Sequence, residues 1–180
     1  MKATPAAIPD VLVLDPKPER DARGFFMVTW NRQLFEQIGI RADFVQDGCA
    51  HSVRNVLRGL HYQVVEVQGK LVRTVAGEIF DVAVDLRRSS PTFGKWVGER
   101  LSAENRRMLW IPPGFAHGYL VLSESAEVTY KISGAYMPRH ERTIRWDDPD
   151  LAIGWPLAGA PILSSKDVSG TRFSEAETFA

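Results

Sequence analysis

The sequence predicts an all-β protein, an antiparallel sandwich or barrel of the jelly-roll type with few short helices. Many short runs of β-branched and aromatic residues recur at close intervals, separated by turns rich in Gly, Pro and Ser. Residues 79–86 alternate with a period of two, so that one strand face is apolar and the other carries Asp81 and Asp85. Helical spacing is found in one place only, directly after Asn31.

In chain order, residues 1–10 contain three Ala and two Pro and predict a loose or exchanged N-terminal arm on a single domain, residues 1–180. Leu34, Phe35 and Ile38 share one face of a short helix that Asn31 caps. We expect the polar segment 161–180 to lie over the surface, across the mouth of a cavity. The predicted strands are 11–14, 25–30, 43–46, 56–63, 70–75, 78–86, 95–101, 107–111, 118–122, 127–132 and 143–146.

Composition narrows the possible partners. Lys and Arg balance Asp and Glu at 22 each, so no overall field attracts nucleic acid or a membrane surface. The single Cys49 excludes an intrachain disulfide framework. No apolar run has the length of a membrane span or a signal peptide, so a cytoplasmic location is expected. The partner is therefore expected to be a small molecule that is recognised locally.

The most informative stretch is 56–63, which carries Arg58 and His61 and is followed by Lys70. A guanidinium, an imidazole and an ammonium this close together suit chemistry on an anionic or carbonyl substrate. The alternative is a half-buried strand with a satisfied His and two solvated cations. Arg58 and His61 are three positions apart, so a regular strand would point their side chains to opposite faces. They can serve one pocket only if the strand bulges, and Gly59 is the expected position of that bulge.

Other chemical classes find less support. The four His residues lack the spacing of a metal site, and there is no phosphate-binding glycine loop or nucleophile motif. Acid–base chemistry remains. Asp167 cannot be paired with His61 from sequence alone, and Tyr130 could equally be a core residue with a satisfied hydroxyl. His117 could be a structural hydrogen-bonder, whereas Asp81 would line the cavity if the strands form a barrel.

Several motifs, in order along residues 12–167, resemble those of the dTDP-4-dehydrorhamnose 3,5-epimerase family. They are VLRGLHYQ (56–63), QGKLVR (68–73), SPTFGKW (90–96), LSAEN (101–105), WIPPGFAHG (110–118), IRWDD (144–148) and ILSSKD (162–167). The resemblance implies a cupin-type jelly roll, a homodimer with an exchanged N-terminal segment, and catalysis without a metal or organic cofactor. The implied substrate is a nucleotide-linked 4-keto-6-deoxy sugar, whose C3 and C5 protons are acidified by the ketone.

The resemblance also implies roles for individual residues. His61 would be the base, oriented by Asp167, while Lys70 stabilises the enolate and Tyr130 returns a proton from the opposite face. Inversion needs an acid and a base on opposite faces, and an enolate needs a preorganised cation. The residues that would contact sugar or diphosphate are Arg58, Arg23, Gln46, His117 and Glu141.

Departures from the family pattern concern specificity. Val28 stands where the family usually has Glu, and residues 46–50 read Gln-Asp-Gly-Cys-Ala where it usually has Gln-Asp-Asn-His-Ser. Val28 and Gly48 are therefore candidates for setting a changed sugar or nucleotide, or epimerisation at one carbon only. Alternatives within the same fold are a 3,4-ketoisomerase, a catalytically silent sugar-nucleotide-binding protein and a metal-dependent oxygenase.

Overall fold

A computed structural model describes all residues from 1 to 180, and its architecture is almost entirely β. The strands are β1 (Lys2–Pro5), β2 (Leu12–Asp15), β3 (Glu19–Asp21), β4 (Gly24–Phe26), β5 (Gln46–Val53), β6 (Leu57–Gln63), β7 (Lys70–Ala76), β8 (Glu78–Asp85), β9 (Trp96–Ser102), β10 (Met108–Ile111), β11 (Phe115–Val121), β12 (Ser125–Ile132) and β13 (Glu141–Thr143). The α-helices are α1 (Arg32–Gln37) and α2 (Ser165–Val168). Neither has the length and apolar character that crossing a membrane requires.

Two antiparallel sheets form the body of the molecule. One has six strands in the order β1-β2-β10-β7-β12-β5, and the other has five in the order β13-β6-β11-β8-β9, while β3 and β4 form a separate hairpin. Successive strands of the chain often belong to opposite sheets, as in a jelly roll. The predicted all-β jelly roll with few short helices is confirmed.

Three apolar clusters hold these layers together. The largest, with 15 buried residues, contains residues of both sheets and fills the space between them. A second covers the outer face of the five-stranded sheet, where Trp155, Phe173 and Phe179 pack. In a third, Phe35 of α1 packs against Leu71 and other residues on the outer face of the six-stranded sheet. The alternation of residues 79–86 is confirmed, because its apolar face lies in the second cluster and Asp81 points between the sheets.

Local signals predicted some boundaries correctly and others not. Asn31 caps α1 as expected, its side chain accepting a hydrogen bond from the N–H of Leu34 at 2.9 Å. Residues 2–5 are not loose, since they pair with β2 as an edge strand. The segment 161–180 does more than cover the surface, because Asp167 and Ala176 are buried.

The strand prediction for 43–46 is wrong in extent. The strand observed there, β5, runs over residues 46–53 and pairs along its whole length with β12. Its small and polar residues carry little intrinsic strand preference, so the pairing with β12 is what makes this segment a strand.

Candidate active site

A cavity of about 650 Å³ is lined by strands of both sheets and by the segment after residue 161. Its volume is in the range of small-molecule binding sites. Of the residues predicted to form a site, eight line this cavity: Gln46, Arg58, His61, Lys70, His117, Tyr130, Glu141 and Asp167. The fold therefore assembles in one place residues that lie far apart in the sequence.

The bulge in β6 aims two of these side chains into the cavity. The register between β6 and β11 shifts by one residue between His61 and Arg58, so β6 has one residue more than its partner strand there. Gly59 lies at this point with φ +122°, and a Cβ added to it would come within 2.5 Å of the Cα of Gly118. Only glycine fits this conformation and this close approach. The predicted bulge at Gly59 is confirmed.

Asp167 fixes the orientation of His61. Its Oδ1 lies 2.7 Å from His61 Nε2 and also accepts the Gly59 N–H at 3.1 Å, while its Oδ2 accepts from the N–H and hydroxyl of Ser164. Burial alone would raise the pKa of Asp167, but these hydrogen bonds together lower it well below its usual range. The carboxylate thus stays charged and accepts a hydrogen bond from Nε2–H of neutral His61. This leaves Nδ1 as the basic nitrogen of the imidazole.

Burial sets the charge states in the cavity. It lowers the pKa of His61 below the ordinary value, although Asp167 acts in the opposite direction. It also lowers the pKa of Lys70 to about 8. The ammonium of Lys70 lies 3.5 Å from the carbonyl oxygen of His61 and forms no ion pair with a carboxylate. At neutral pH a neutral imidazole and an unpaired ammonium therefore share one cavity.

A second histidine–carboxylate pair lies deeper between the sheets. His117 Nε2 is 2.7 Å from Oδ1 of Asp81, whose side chain is fully buried. Asp81 thus faces the barrel interior, but it lies behind His117 and does not itself line the cavity. His117 lies within β11, because this strand begins at Phe115, three residues earlier than predicted. No group of three or more His, Cys, Asp or Glu side chains is arranged as a metal site.

Charged groups also surround the cavity opening. The guanidinium of Arg58 donates to Ser52 Oγ at 3.0 and 3.1 Å and meets no carboxylate, so it is free to bind an anion. Glu141 accepts from Lys166 at 2.7 Å and from the Tyr136 hydroxyl at 3.2 Å.

Some lining residues were absent from the sequence prediction. Nothing in the sequence singles out Lys166. Ser164 is marked by the local pattern Ser-x-x-Asp of a capping box, which α2 forms with Asp167. This pattern could have identified α2 and the local partner of the Asp167 carboxylate.

Three predicted residues do not line the cavity. Arg23 belongs to the β3–β4 hairpin, where its side chain is 90% exposed and pairs with Asp21. Val28 is also exposed. Gly48 contacts the ring of Tyr130 at the wall of the cavity rather than lining it. A single chain therefore does not bring Arg23 or Val28 to the other site residues.

Known proteins are similar to this chain in both sequence and fold. The family model of dTDP-4-dehydrorhamnose 3,5-epimerase matches residues 5–175. A dTDP-4-dehydrorhamnose 3,5-epimerase of Pseudomonas aeruginosa is 58% identical over 180 residues, which covers 99% of each chain.

Two solved structures bear on the site. An epimerase of Legionella pneumophila in complex with dTDP-4-keto-L-rhamnose has a TM-score of 0.95 and 46% identity, covering 98% of this chain and 94% of its own. A 3'-monoepimerase of Streptomyces bikiniensis in complex with dTDP-quinovose has a TM-score of 0.88 and 32% identity, covering 94% and 86%. From its sequence and its fold, the chain belongs to the dTDP-4-dehydrorhamnose 3,5-epimerase family.

Proposed function

We propose that the protein inverts C3 and C5 of a dTDP-linked 4-keto-6-deoxyhexose. The observation that carries this proposal is the cavity in which the oriented imidazole of His61, the unpaired ammonium of Lys70 and the phenol of Tyr130 meet. The similar proteins from Pseudomonas and Legionella support the substrate class.

The reaction follows from these groups. The C4 ketone acidifies the neighbouring C–H bonds, and Nδ1 of His61 removes the proton while Asp167 stabilises the imidazolium that forms. The electron pair moves onto the ketone oxygen, where the Lys70 ammonium stabilises the enolate. Tyr130 then donates its phenolic proton to the same carbon from the opposite face. Each inversion leaves His61 protonated and Tyr130 ionised, and exchange with solvent restores both.

Binding is assigned to the remaining cavity residues. Arg58 has forked donors and no carboxylate partner, so it suits the oxygens of the diphosphate. Gln46, His117 and Glu141 offer hydrogen bonds to the sugar or diphosphate. No metal or organic cofactor is needed for any of these steps.

We further propose that a second copy of the chain completes the site. The β3–β4 hairpin exposes Phe25 and Phe26 at 50% and 68%, and it carries Arg23 outside the cavity. A homodimer could bury these rings and bring Arg23 and Val28 to the neighbouring cavity. Mixing Arg23→Ala and His61→Ala variants tests this, since only a shared site regains activity in the mixed dimer. A cytoplasmic location stays a prediction that cell fractionation would check.

Solvent deuterium incorporation into dTDP-4-keto-6-deoxyglucose, followed by NMR at each carbon, tests the activity. Label at both C3 and C5 is expected, and His61→Ala should abolish it. Label at one carbon would indicate a mono-epimerase, which the likeness to the Streptomyces 3'-monoepimerase makes the second candidate. A 3-keto product would indicate a ketoisomerase. Absence of label with a folded protein would refute the proposal.

A further inference from the structure

The ring of Tyr130 lies against the backbone of Gly48. The two residues face each other across the β5–β12 pair. A Cβ built on Gly48 would come within 2.4 Å of Cε2, 2.9 Å of Cδ2 and 3.1 Å of Cζ of Tyr130. The ring therefore fills the space that a side chain at position 48 would occupy.

The backbone itself does not require glycine here. Gly48 lies in a strand whose register with β12 is unbroken from Gln46 to Val53, and its φ is outside the left-handed region. An alanine could adopt this extended conformation without strain. The nearest atoms that a larger residue would meet belong to the Tyr130 ring, so a side chain at position 48 requires this ring to move.

Packing, rather than hydrogen bonding, holds Tyr130 in place. The hydroxyl of Tyr62 donates to the backbone carbonyl of Glu177, and that of Tyr136 donates to the carboxylate of Glu141. Tyr130 instead packs its ring on the apolar cluster between the sheets. The location of its hydroxyl is therefore set by what the ring leans against, and on the β5 side this is Gly48.

We propose that Gly48 determines how Tyr130 divides its proton between C3 and C5. This inference rests on the proposed function. Ordinary van der Waals contact begins near 3.4 Å, so a methyl group at position 48 would displace the ring by about 1 Å, the difference between 3.4 and 2.4 Å. C3 and C5 flank C4 on opposite sides, so a displacement along the line between them brings the hydroxyl nearer to one carbon and farther from the other. Misplacement of this size changes rates by up to about 100-fold.

The test compares Gly48→Ala with Cys49→Ala, a neighbouring substitution whose side chain is exposed. In the deuterium assay, Gly48→Ala should change the ratio of inversion at C3 to inversion at C5 at least about fivefold, and Cys49→Ala should leave it within about twofold. Inversion is counted rather than label alone, because His61 can also return label with retention. An unchanged ratio for Gly48→Ala would overturn the inference. In a Tyr130→Phe background, where the proton donor is absent, Gly48→Ala should have no further effect on the ratio, and a persisting effect would also overturn it.

A stability cycle separates this inference from the proposed activity. Gly48→Ala should lower Tm in the wild-type background but not in Tyr130→Ala, where no ring opposes the new methyl group. An equal loss of Tm in both backgrounds would overturn the contact, whether or not the protein is active. If the wild type incorporates no label although the cycle behaves as expected, the proposed activity fails and the specificity role fails with it, while the packing contact stands.

Discussion

Replacing Asp167 by Asn tests how far catalysis depends on the oriented imidazole. The carboxylate accepts hydrogen bonds from His61 and the Gly59 N–H at Oδ1, and from the N–H and hydroxyl of Ser164 at Oδ2. An amide has one oxygen. In either orientation of the Asn side chain, its NH2 group would therefore face N–H or O–H donors with which it cannot form a hydrogen bond. The substitution therefore keeps the shape of the side chain and removes its charge and part of its acceptor capacity.

The expected magnitude follows from these contacts. A hydrogen bond to a charged group contributes about 1.5–3 kcal/mol, and loss of that stabilisation from the His61 imidazolium should lower kcat by about 10- to 150-fold. Ser164 still caps α2 in this variant, but weakening of the reciprocal bonds from Ser164 to residue 167 adds about 1 kcal/mol to the structural cost, so we expect the free energy of unfolding to fall by about 2–4 kcal/mol. Because the pKa of Asp167 is lowered in the folded protein, its stabilising effect is present above the unfolded value of 3.8 and is lost as the pH falls below it.

Steady-state kinetics and urea unfolding at pH 7 and pH 3 measure both effects. Ser164→Ala removes one hydroxyl donor but keeps the carboxylate, so it should lower stability with a smaller loss of kcat. Asp147→Asn is the matched control, since Asp147 is a partly exposed carboxylate paired with Arg145 outside the cavity. A folded Asp167→Asn enzyme with wild-type kcat would refute the role of Asp167 in orienting and charging His61.

Three further predictions follow from the same geometry. The value of kcat/KM should fall on the acid side as His61 is protonated, at a pKa below 6.5, and on the alkaline side near pH 8 as Lys70 loses its proton. Lys70→Arg should shift the alkaline limb to higher pH. An alkaline limb that does not shift would show that a group other than Lys70 causes it. Tyr130→Phe should slow inversion by about 100- to 10,000-fold while His61 still exchanges substrate protons with retention, so equal losses of exchange and inversion would contradict its role as the acid. Gly59→Ala should lower the free energy of unfolding by about 2–4 kcal/mol because of its positive φ and its contact with β11, whereas Gly154→Ala, which meets nothing within 4 Å, should leave Tm unchanged.

The parts of the fold that follow local periodicity could be predicted from the sequence. The alternation in 79–86 identified β8 and placed Asp81 opposite its apolar face, and the helical spacing after Asn31 identified α1. β5 could not be identified in this way, because Gln46–Val53 becomes a strand through hydrogen bonds to β12. The residues of this segment, considered by themselves, do not indicate that it pairs with β12.

The features of the site likewise fall into those that local sequence could predict and those that depend on the tertiary fold. Parity along β6 was enough to require a bulge at Gly59, since Arg58 and His61 could not otherwise face one cavity. The pairing of His61 with Asp167 spans 106 positions and depends on the tertiary fold. Resemblance to the family assigns Arg23 to the site, whereas one copy of the chain leaves it on an exposed hairpin.

The docking of the segment after residue 161 has a consequence for how the protein becomes active during synthesis. Ile162 bridges to Val56, and α2 then carries Asp167 to the Gly59 N–H and to His61. Strands β6 to β12 leave the ribosome before this segment does, so the barrel can begin to form while its base still lacks a carboxylate. His61 therefore gains its carboxylate partner only after the segment that carries Asp167 has been synthesised, and a nascent chain that has completed only the earlier strands holds the base in an unactivated form.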